Sequence, residues 1–234
     1  MNDKWSTIEI VGKPVDIFEP VPGGELRFCL LFLHDLTGEI PRSDPTITQQ
    51  LSDLRLACVA PRGGPCWWAD RVCPPFDAKQ PPERYVLEPV CAWIGHVWGL
   101  RDSQIALAGI GMGGQGALRI AFKHPEQFPI VAALDPAIDH HELHGEGTKL
   151  DTMYTSREQC RQDTATLHVD PARQPRHIWF AADPASRWFR GNDRLHEKLA
   201  ALGVPHTLHI GSASDPEMLR FLMEALERES RRLL

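Results

Sequence analysis

The fold is decided by one stretch, Ala108-Gly109-Ile110-Gly111-Met112-Gly113-Gly114-Gln115-Gly116-Ala117-Leu118. The residues that lead into it, Gln104–Gly109, form an apolar run that predicts a buried strand. The residues that leave it, Gly113–Lys123, predict a helix rich in small side chains. Because glycine allows close backbone approach and positive φ, the stretch predicts a tight turn from strand to helix.

Predicted strands and helices alternate on both sides of this turn. The remaining predicted strands are Thr7–Val11, Val15–Phe18, Arg27–His34, Ala57–Ala60, Ile130–Leu134, His177–Ala181 and His206–Ile210. The remaining predicted helices are a short one after Asp44-Pro45, then Glu83–Gly99, Asn192–Leu202 and Pro216–Leu233. The first two strands predict a hairpin. The alternation predicts an α/β fold, a mostly parallel central sheet flanked by helices on both faces.

Two long segments interrupt this alternation. Residues 61–82 contain six prolines and the pair Trp67-Trp68, without an apolar period, which predicts an ordered loop. Residues 140–174 are polar and predict short helices that cross the edge of the sheet. For the two tryptophans we consider two alternatives, packing beneath the loop and contact with a ligand.

The composition predicts a single domain over residues 1–234. A chain of 234 residues with 42% hydrophobic content can build one core. Its net charge of −6 disfavours a nucleic-acid partner. No stretch is long and apolar enough for a membrane span, and Met1–Thr7 lacks a signal sequence, so we expect a cytoplasmic protein. The six cysteines, at positions 29, 58, 66, 73, 91 and 160, are expected to be reduced.

The glycine-rich turn resembles a nucleophile elbow. In such an elbow the middle residue of G-x-S-x-G carries the catalytic hydroxyl, and Gly111 stands at that place here. The stretch is similar to the G-x-S-M-G-G-x-G-A-L signature of the esterase D and feruloyl esterase branch of the α/β-hydrolases. Further likeness lies in Leu31–Asp35 and Arg194–Leu199, within a similarity spanning about residues 27–225. The resemblance implies an α/β-hydrolase fold and carboxylic-ester chemistry.

The resemblance also implies where the acid and the histidine of a catalytic triad would follow the nucleophile. The acid position falls on Ser186, with Asp183 as the alternative three residues earlier. The histidine loop corresponds to Ala213–Pro216, which contains no histidine, and none follows His209. We interpret His209, which lies on a predicted strand, as structural. We therefore predict that no catalytic position is intact and that Gly111, Ser186 or Asp183, and the loop Ala213–Pro216 are vestigial.

The groups that hold a negatively charged substrate oxygen in such a hydrolase include backbone N–H groups. In this fold an oxyanion is held by the N–H groups of Met112 and of Leu36 or Thr37, which do not depend on side chains. We expect Trp67 and Trp68 near the rim of this cleft. A small ester-like or carboxylate ligand is the expected partner, with no cofactor.

Two other site hypotheses are weaker. Gly109, Gly111 and Gly114 satisfy G-x-G-x-x-G, but a single match to this pattern is weak, and this one lies in the middle of the chain. The cluster Asp139–His144 contains imidazoles and carboxylates, yet it offers one i, i+4 histidine pair, so we expect no metal.

The sequence thus leaves three functional hypotheses. The first is a catalytically degenerate hydrolase that keeps a ligand-binding cleft. The second is a carboxylic-ester hydrolase with a displaced nucleophile, Ser186, Ser212 or Ser214. The third is a structural or interaction module without a ligand.

Overall fold

Eight strands form one continuous mixed sheet in the computed structural model, which describes residues 4–211 and 215–232. The strand order is β1-β2-β4-β3-β5-β6-β7-β8. Strands β1 and β2 pair as the predicted antiparallel hairpin, β2 pairs antiparallel with β4, and the others run parallel. The strands are β1 Trp5–Ile10, β2 Lys13–Phe18, β3 Cys29–Leu33, β4 Ala57–Pro61, β5 Ile105–Ile110, β6 Ile130–Leu134, β7 His177–Ala182 and β8 Thr207–Ile210.

Helices cover both faces of the sheet. Helices α3, α4 and α7 bury apolar side chains against one face, and α1 and α8 bury theirs against the other. The helices are α1 Pro45–Asp53, α2 Pro82–Tyr85, α3 Cys91–Trp98, α4 Met112–Lys123, α5 Leu150–Met153, α6 Arg157–Arg161, α7 Phe189–Ala201 and α8 Asp215–Arg232. This arrangement confirms the predicted fold class, a mostly parallel sheet between two helical layers.

The helix predicted over Glu83–Gly99 contains an irregularity at its centre. Between α2 and α3 the residues Val86–Val90 form a π-helical turn. This turn contains Pro89, which has no N–H to donate into the helical ladder. Gly99 ends the helix at φ 67°, the left-handed conformation that glycine adopts without strain.

The two long segments fold as the sequence indicates. Residues 62–81 form an ordered loop, and the polar segment carries α5, α6 and two short 3₁₀ turns. All six cysteines are buried and free. Among the described residues, no helix combines the length and apolarity needed to cross a bilayer.

A buried ion cluster ties both segments to α4. Arg119, which is 1% exposed, donates from Nη2 to Glu83 and to the carbonyl of Trp68 (3.0 Å). Its Nη1 donates to Asp163 Oδ1 at 2.7 Å. Lys123 Nζ donates to the other oxygen of Glu83 at 2.5 Å. Burial alone would raise the pKa of Glu83, but the surrounding cations outweigh it and lower that pKa to about 2.

The close contact between α4 and the sheet generates a stability prediction. A Cβ at Gly113 would lie 1.9 Å from the carbonyl oxygen of Leu33, so backbone would have to move. We expect Gly113→Ala to destabilise the protein by more than about 3 kcal/mol in urea unfolding, or to prevent folding. As a control, Gly95→Ala within α3 meets only an ordinary contact at 3.6 Å, and it is expected to be neutral or stabilising. Equal free energies of unfolding for the two variants would contradict the close contact between Gly113 and Leu33.

The ion cluster generates a pH-dependent prediction. We expect Glu83→Gln to lower the free energy of unfolding by about 3 kcal/mol at pH 7, since Arg119 and Lys123 lose a buried anionic partner. Because the folded pKa of Glu83 is lowered to about 2, its contribution is complete above the unfolded value of 4.5 and is lost as the pH falls toward 2. Urea titrations of both proteins at pH 7 and near pH 2.5 should show the difference shrinking. Glu88→Gln, whose side chain is 62% exposed, is the control and should change little at either pH.

Candidate functional site

The backbone at Gly111 changes direction sharply between β5 and α4. Gly111 has φ 53° and ψ −112°, which lies outside the helical and extended regions. Its N–H donates to the carbonyl of Leu134 at 2.9 Å, and its carbonyl accepts from the N–H of Ala137 at 2.9 Å. The turn is therefore fixed by hydrogen bonds to the last residue of β6 and to the segment that follows β6.

Space remains above Gly111, in contrast to its neighbours in the turn. A Cβ built on Gly111 would meet only the Cβ of Asp35, at 3.4 Å, which is an ordinary contact. A Cβ on Gly109 would lie 2.4 Å from the backbone of Gly113. Packing therefore requires glycine at 109 and 113, whereas at 111 only the positive φ favours it.

Two backbone N–H groups that lie beside this turn make no hydrogen bond within the described residues. Met112 is the first residue of α4, so its N–H has no acceptor within the helix. Within the described part of the chain, the N–H groups of Met112 and Leu36 have no hydrogen-bond acceptor. The N–H of Thr37 is already engaged, because it donates to Asp35 Oδ1 at 2.8 Å. Of the two predicted donors after β3, Leu36 is therefore the one that remains available.

His34 is close to the turn but has a structural role. Its Nε2 accepts from the N–H of Gly63 at 2.9 Å, and its Nδ1 lies 2.7 Å from the carbonyl of Asp35. Burial lowers the pKa of His34, which favours the neutral ring with one donor and one acceptor. Because both ring nitrogens are used, His34 is not placed to take a proton from a substrate.

Trp67 and Trp68 lie in the packing beneath the turn. Their exposed fractions are 3% and 0%. Trp68 Nε1 donates to the carbonyl of His34 at 3.1 Å, and a Cβ at Gly116 would lie 2.6 Å from the Cβ of Trp68. Trp67 stacks on the ring of His140 with 5.0 Å between centroids. These contacts support the packing alternative, and contact of either tryptophan with a ligand stays a prediction.

The acid region contains a carboxylate that sequence reasoning missed. Asp135 follows β6 at φ 40°, and Ser186 Oγ donates to its Oδ2 in a short hydrogen bond. Burial raises the pKa of Asp135, although the bond from Ser186 opposes this. The signal available in the sequence was its position directly after an apolar run, at the carboxyl edge of the sheet. Asp183, the alternative acid, accepts from the N–H of Ala185 at 2.8 Å.

Ser186 is arranged as a structural hydroxyl. Besides donating to Asp135, it accepts from the N–H of Trp188 at 3.1 Å, just before α7. Within residues 4–211 and 215–232 these are the hydrogen-bond partners of the hydroxyl. A serine attacks efficiently only when a neighbouring base can take its proton, and a carboxylate without an imidazole is a weak base for this purpose.

The histidine region is described only in part. His209 lies on β8, and its Nδ1 is 3.9 Å from Glu217 Oε1 of α8. Ser212, Ala213 and Ser214 lie outside the described residues, so the first part of the predicted vestigial loop Ala213–Pro216 does too. In the sequence, Gly211–Pro216 contains no histidine.

The histidines of the Asp139–His144 cluster have separate neighbours. His140 is buried against Trp67, whereas His144 Nε2 lies 3.0 Å from the carbonyl of Tyr154. Among the described residues, no group of three or more histidine, cysteine or acidic side chains could hold a metal ion.

Solved structures with the same fold are numerous. The chain is similar to an S-formylglutathione hydrolase from Agrobacterium tumefaciens, with 19% identity, TM-score 0.70 and coverage of 98% of this chain and 94% of that one. It is also similar to the S-formylglutathione hydrolase FrmB from Staphylococcus aureus, with 14% identity, TM-score 0.76 and coverage of 96% and 98%. A third is the fluorophosphonate-binding serine hydrolase FphF of Staphylococcus aureus, with 15% identity, TM-score 0.72 and coverage of 96% of each chain. At these identities the likeness shows the fold alone.

Among curated proteins, none matches this chain. The family model described as putative esterase matches residues 58–222, which is more than half of the sequence. This match includes β5, the Gly111 turn and α4. The chain therefore belongs to the putative esterase family, and it shares the α/β-hydrolase fold of the solved structures that it matches.

Proposed function

We propose that this protein is a catalytically degenerate esterase-family hydrolase that binds a small ester-like or carboxylate ligand beside Gly111 without cleaving it. The observation that carries the proposal is the Gly111 turn. It holds the backbone conformation and the open space that suit a nucleophilic side chain, yet it presents none. On this reading the turn is a nucleophile elbow that has lost its nucleophile.

The backbone supports binding in the absence of chemistry. The N–H groups of Leu36 and Met112 have no partner among the described residues, and α4 adds the positive end of its helix dipole at Met112. In this proposal the carbonyl or carboxylate oxygen of the ligand accepts hydrogen bonds from both N–H groups. Asp35 lies beside this position, and its negative charge opposes full charge on the ligand oxygen, which favours a neutral carbonyl over a carboxylate.

The loss of the nucleophile has a large kinetic consequence. Removing a catalytic serine or its histidine typically lowers turnover by about 10⁶, or about 8 kcal/mol in the barrier. In this chain Gly111 offers no hydroxyl, and Ser186 has a carboxylate rather than an imidazole as its partner. The hypothesis of a displaced nucleophile therefore keeps Ser212 and Ser214 as its candidates, which lie outside the described residues.

Restoring serine at the turn tests the proposed origin of Gly111. We expect Gly111→Ser to lower the melting temperature by about 2–8 °C, because a side chain in this conformation costs about 1–3 kcal/mol. Ester turnover should stay at background, since Gly211–Pro216 provides no histidine. Differential scanning calorimetry measures the shift, with Gly95→Ser within α3 as a control that carries no positive φ. An unchanged or higher melting temperature in Gly111→Ser would contradict the prediction that a side chain at this position strains the turn.

Removing a backbone donor tests the binding site. We expect N-methylbutyramide and butyrate to produce saturable thermal shifts in the wild type, while p-nitrophenyl acetate is not turned over. Leu36→Pro removes the N–H and should abolish the shifts, whereas Leu36→Ala keeps the N–H and should retain them. Leu36 is 48% exposed, so neither change opens the core.

Two results would decide against this proposal. Saturable ester turnover together with fluorophosphonate labelling of one serine would establish the displaced-nucleophile enzyme. Absence of any thermal shift with either compound would favour a structural or interaction module.

A further inference from the structure

A cavity separate from the Gly111 turn lies between the β6–β7 segment and α7. Its volume is about 280 Å³. Arg161 of α6 and Arg194 of α7 line it, together with His141, Thr166 and Asp139. It is therefore a small polar cavity with two guanidinium groups in its walls.

Both guanidinium groups keep unused donors. Arg161 donates from Nε and Nη2 to Glu158, and Arg194 donates from Nη2 to Asp139. Within residues 4–211 and 215–232, Arg161 Nη1 and Arg194 Nε and Nη1 have no hydrogen-bond acceptor. Both arginine side chains are 43% exposed, so a solute can reach them. Each carboxylate thus orients one guanidinium and leaves further N–H groups available for another acceptor.

Two further polar atoms of the wall lack partners. Thr166 Oγ1 and His141 Nδ1 are buried and have no hydrogen-bond partner in the described part of the chain. Buried polar groups without partners are destabilising and uncommon in folded proteins. Small rotations of these side chains into the cavity would offer both atoms to a ligand.

The walls of the cavity are held in place by contacts outside it. The carbonyl of Thr166 accepts from Lys198 Nζ at 2.6 Å, and the N–H of Ala165 donates to Gln115 Oε1 at 3.1 Å. Asp139 packs on Gly191, where a Cβ would lie 2.8 Å from its Cγ. The site is thus largely formed before any ligand arrives, which reduces the entropy cost of binding.

We propose that this cavity binds a phosphate group. Four side chains that can donate hydrogen bonds, Arg161, Arg194, His141 and Thr166, line it, and a tetrahedral group has enough acceptor oxygens to bind donors on several walls. A planar carboxylate has two oxygens and can satisfy fewer of them. The site is independent of the proposed carbonyl site at Leu36 and Met112.

Calorimetric titration with inorganic phosphate tests this site, at constant ionic strength set with sodium chloride. We expect saturable binding of one phosphate per chain, with acetate binding at least about tenfold more weakly. Methyl phosphate is the second probe, and comparison with inorganic phosphate distinguishes a free anion from a phosphate ester. Arg161→Gln should weaken phosphate binding about tenfold or more. Thr166→Val, which keeps the side-chain shape but removes the hydroxyl, should weaken it several-fold.

Arg157→Gln is the matched control. Arg157 lies one turn earlier on α6, is exposed, and does not line the cavity, so its replacement removes the same charge without removing a donor from the walls. Arg161 pairs with the exposed Glu158, and folding should tolerate its loss. If Arg157→Gln and Arg161→Gln weakened phosphate binding equally, the effect would come from the net charge of the protein and would contradict a specific site. Failure of the wild type to show saturable binding below about 10 mM, or stronger binding of acetate than of phosphate, would overturn the proposal.

Discussion

The first turn of helix α4 approaches the sheet so closely that no side chain fits between the two backbones. The backbone of Gly113 lies against the carbonyl of Leu33, and that of Gly109 lies against Gly113. This contact sets the position of α4 over β3 and β5, and with it the direction in which the chain turns at Gly111. The ion cluster, the tryptophan packing and the two backbone donors all depend on where α4 begins and how it lies.

The hydrogen bonds and ion pairs of Arg119 also hold the two irregular segments, residues 61–82 and 140–174, against α4. A guanidinium that is 1% exposed requires anionic partners, which Glu83 of α2 and Asp163 of residues 140–174 supply. The carbonyl of Trp68, in residues 61–82, accepts a hydrogen bond from the same guanidinium. Each segment therefore has a fixed attachment on α4. This explains how long stretches rich in proline or polar residues remain ordered beside the candidate site and how the cavity of Arg161 and Arg194 keeps its shape.

The proposed function treats the backbone groups that would bind a ligand separately from the side chains that would carry out catalysis. The N–H groups of Leu36 and Met112, which have no acceptor among the described residues, belong to the backbone and do not depend on the identity of their own side chains. The hydroxyl and the imidazole belong to side chains and are missing at the expected sequence positions. Binding and chemistry therefore make different demands on this scaffold, which is the basis of the proposed ligand-binding role.

The sequence by itself determined the fold class and the place of the turn. Apolar runs alternating with amphipathic helices predict a mostly parallel sheet, and the glycines at 109 and 113 predict a close contact because no other residue fits it. The missing histidine after His209 was equally visible, since it concerns residue identity alone. Only the tertiary structure decided which groups meet: that Thr37 is engaged by Asp35, that Ser186 bonds to Asp135, and that Arg161 and Arg194 share one cavity. Such pairings join residues distant in sequence or depend on rotamers, and neither leaves a periodic signal along the chain.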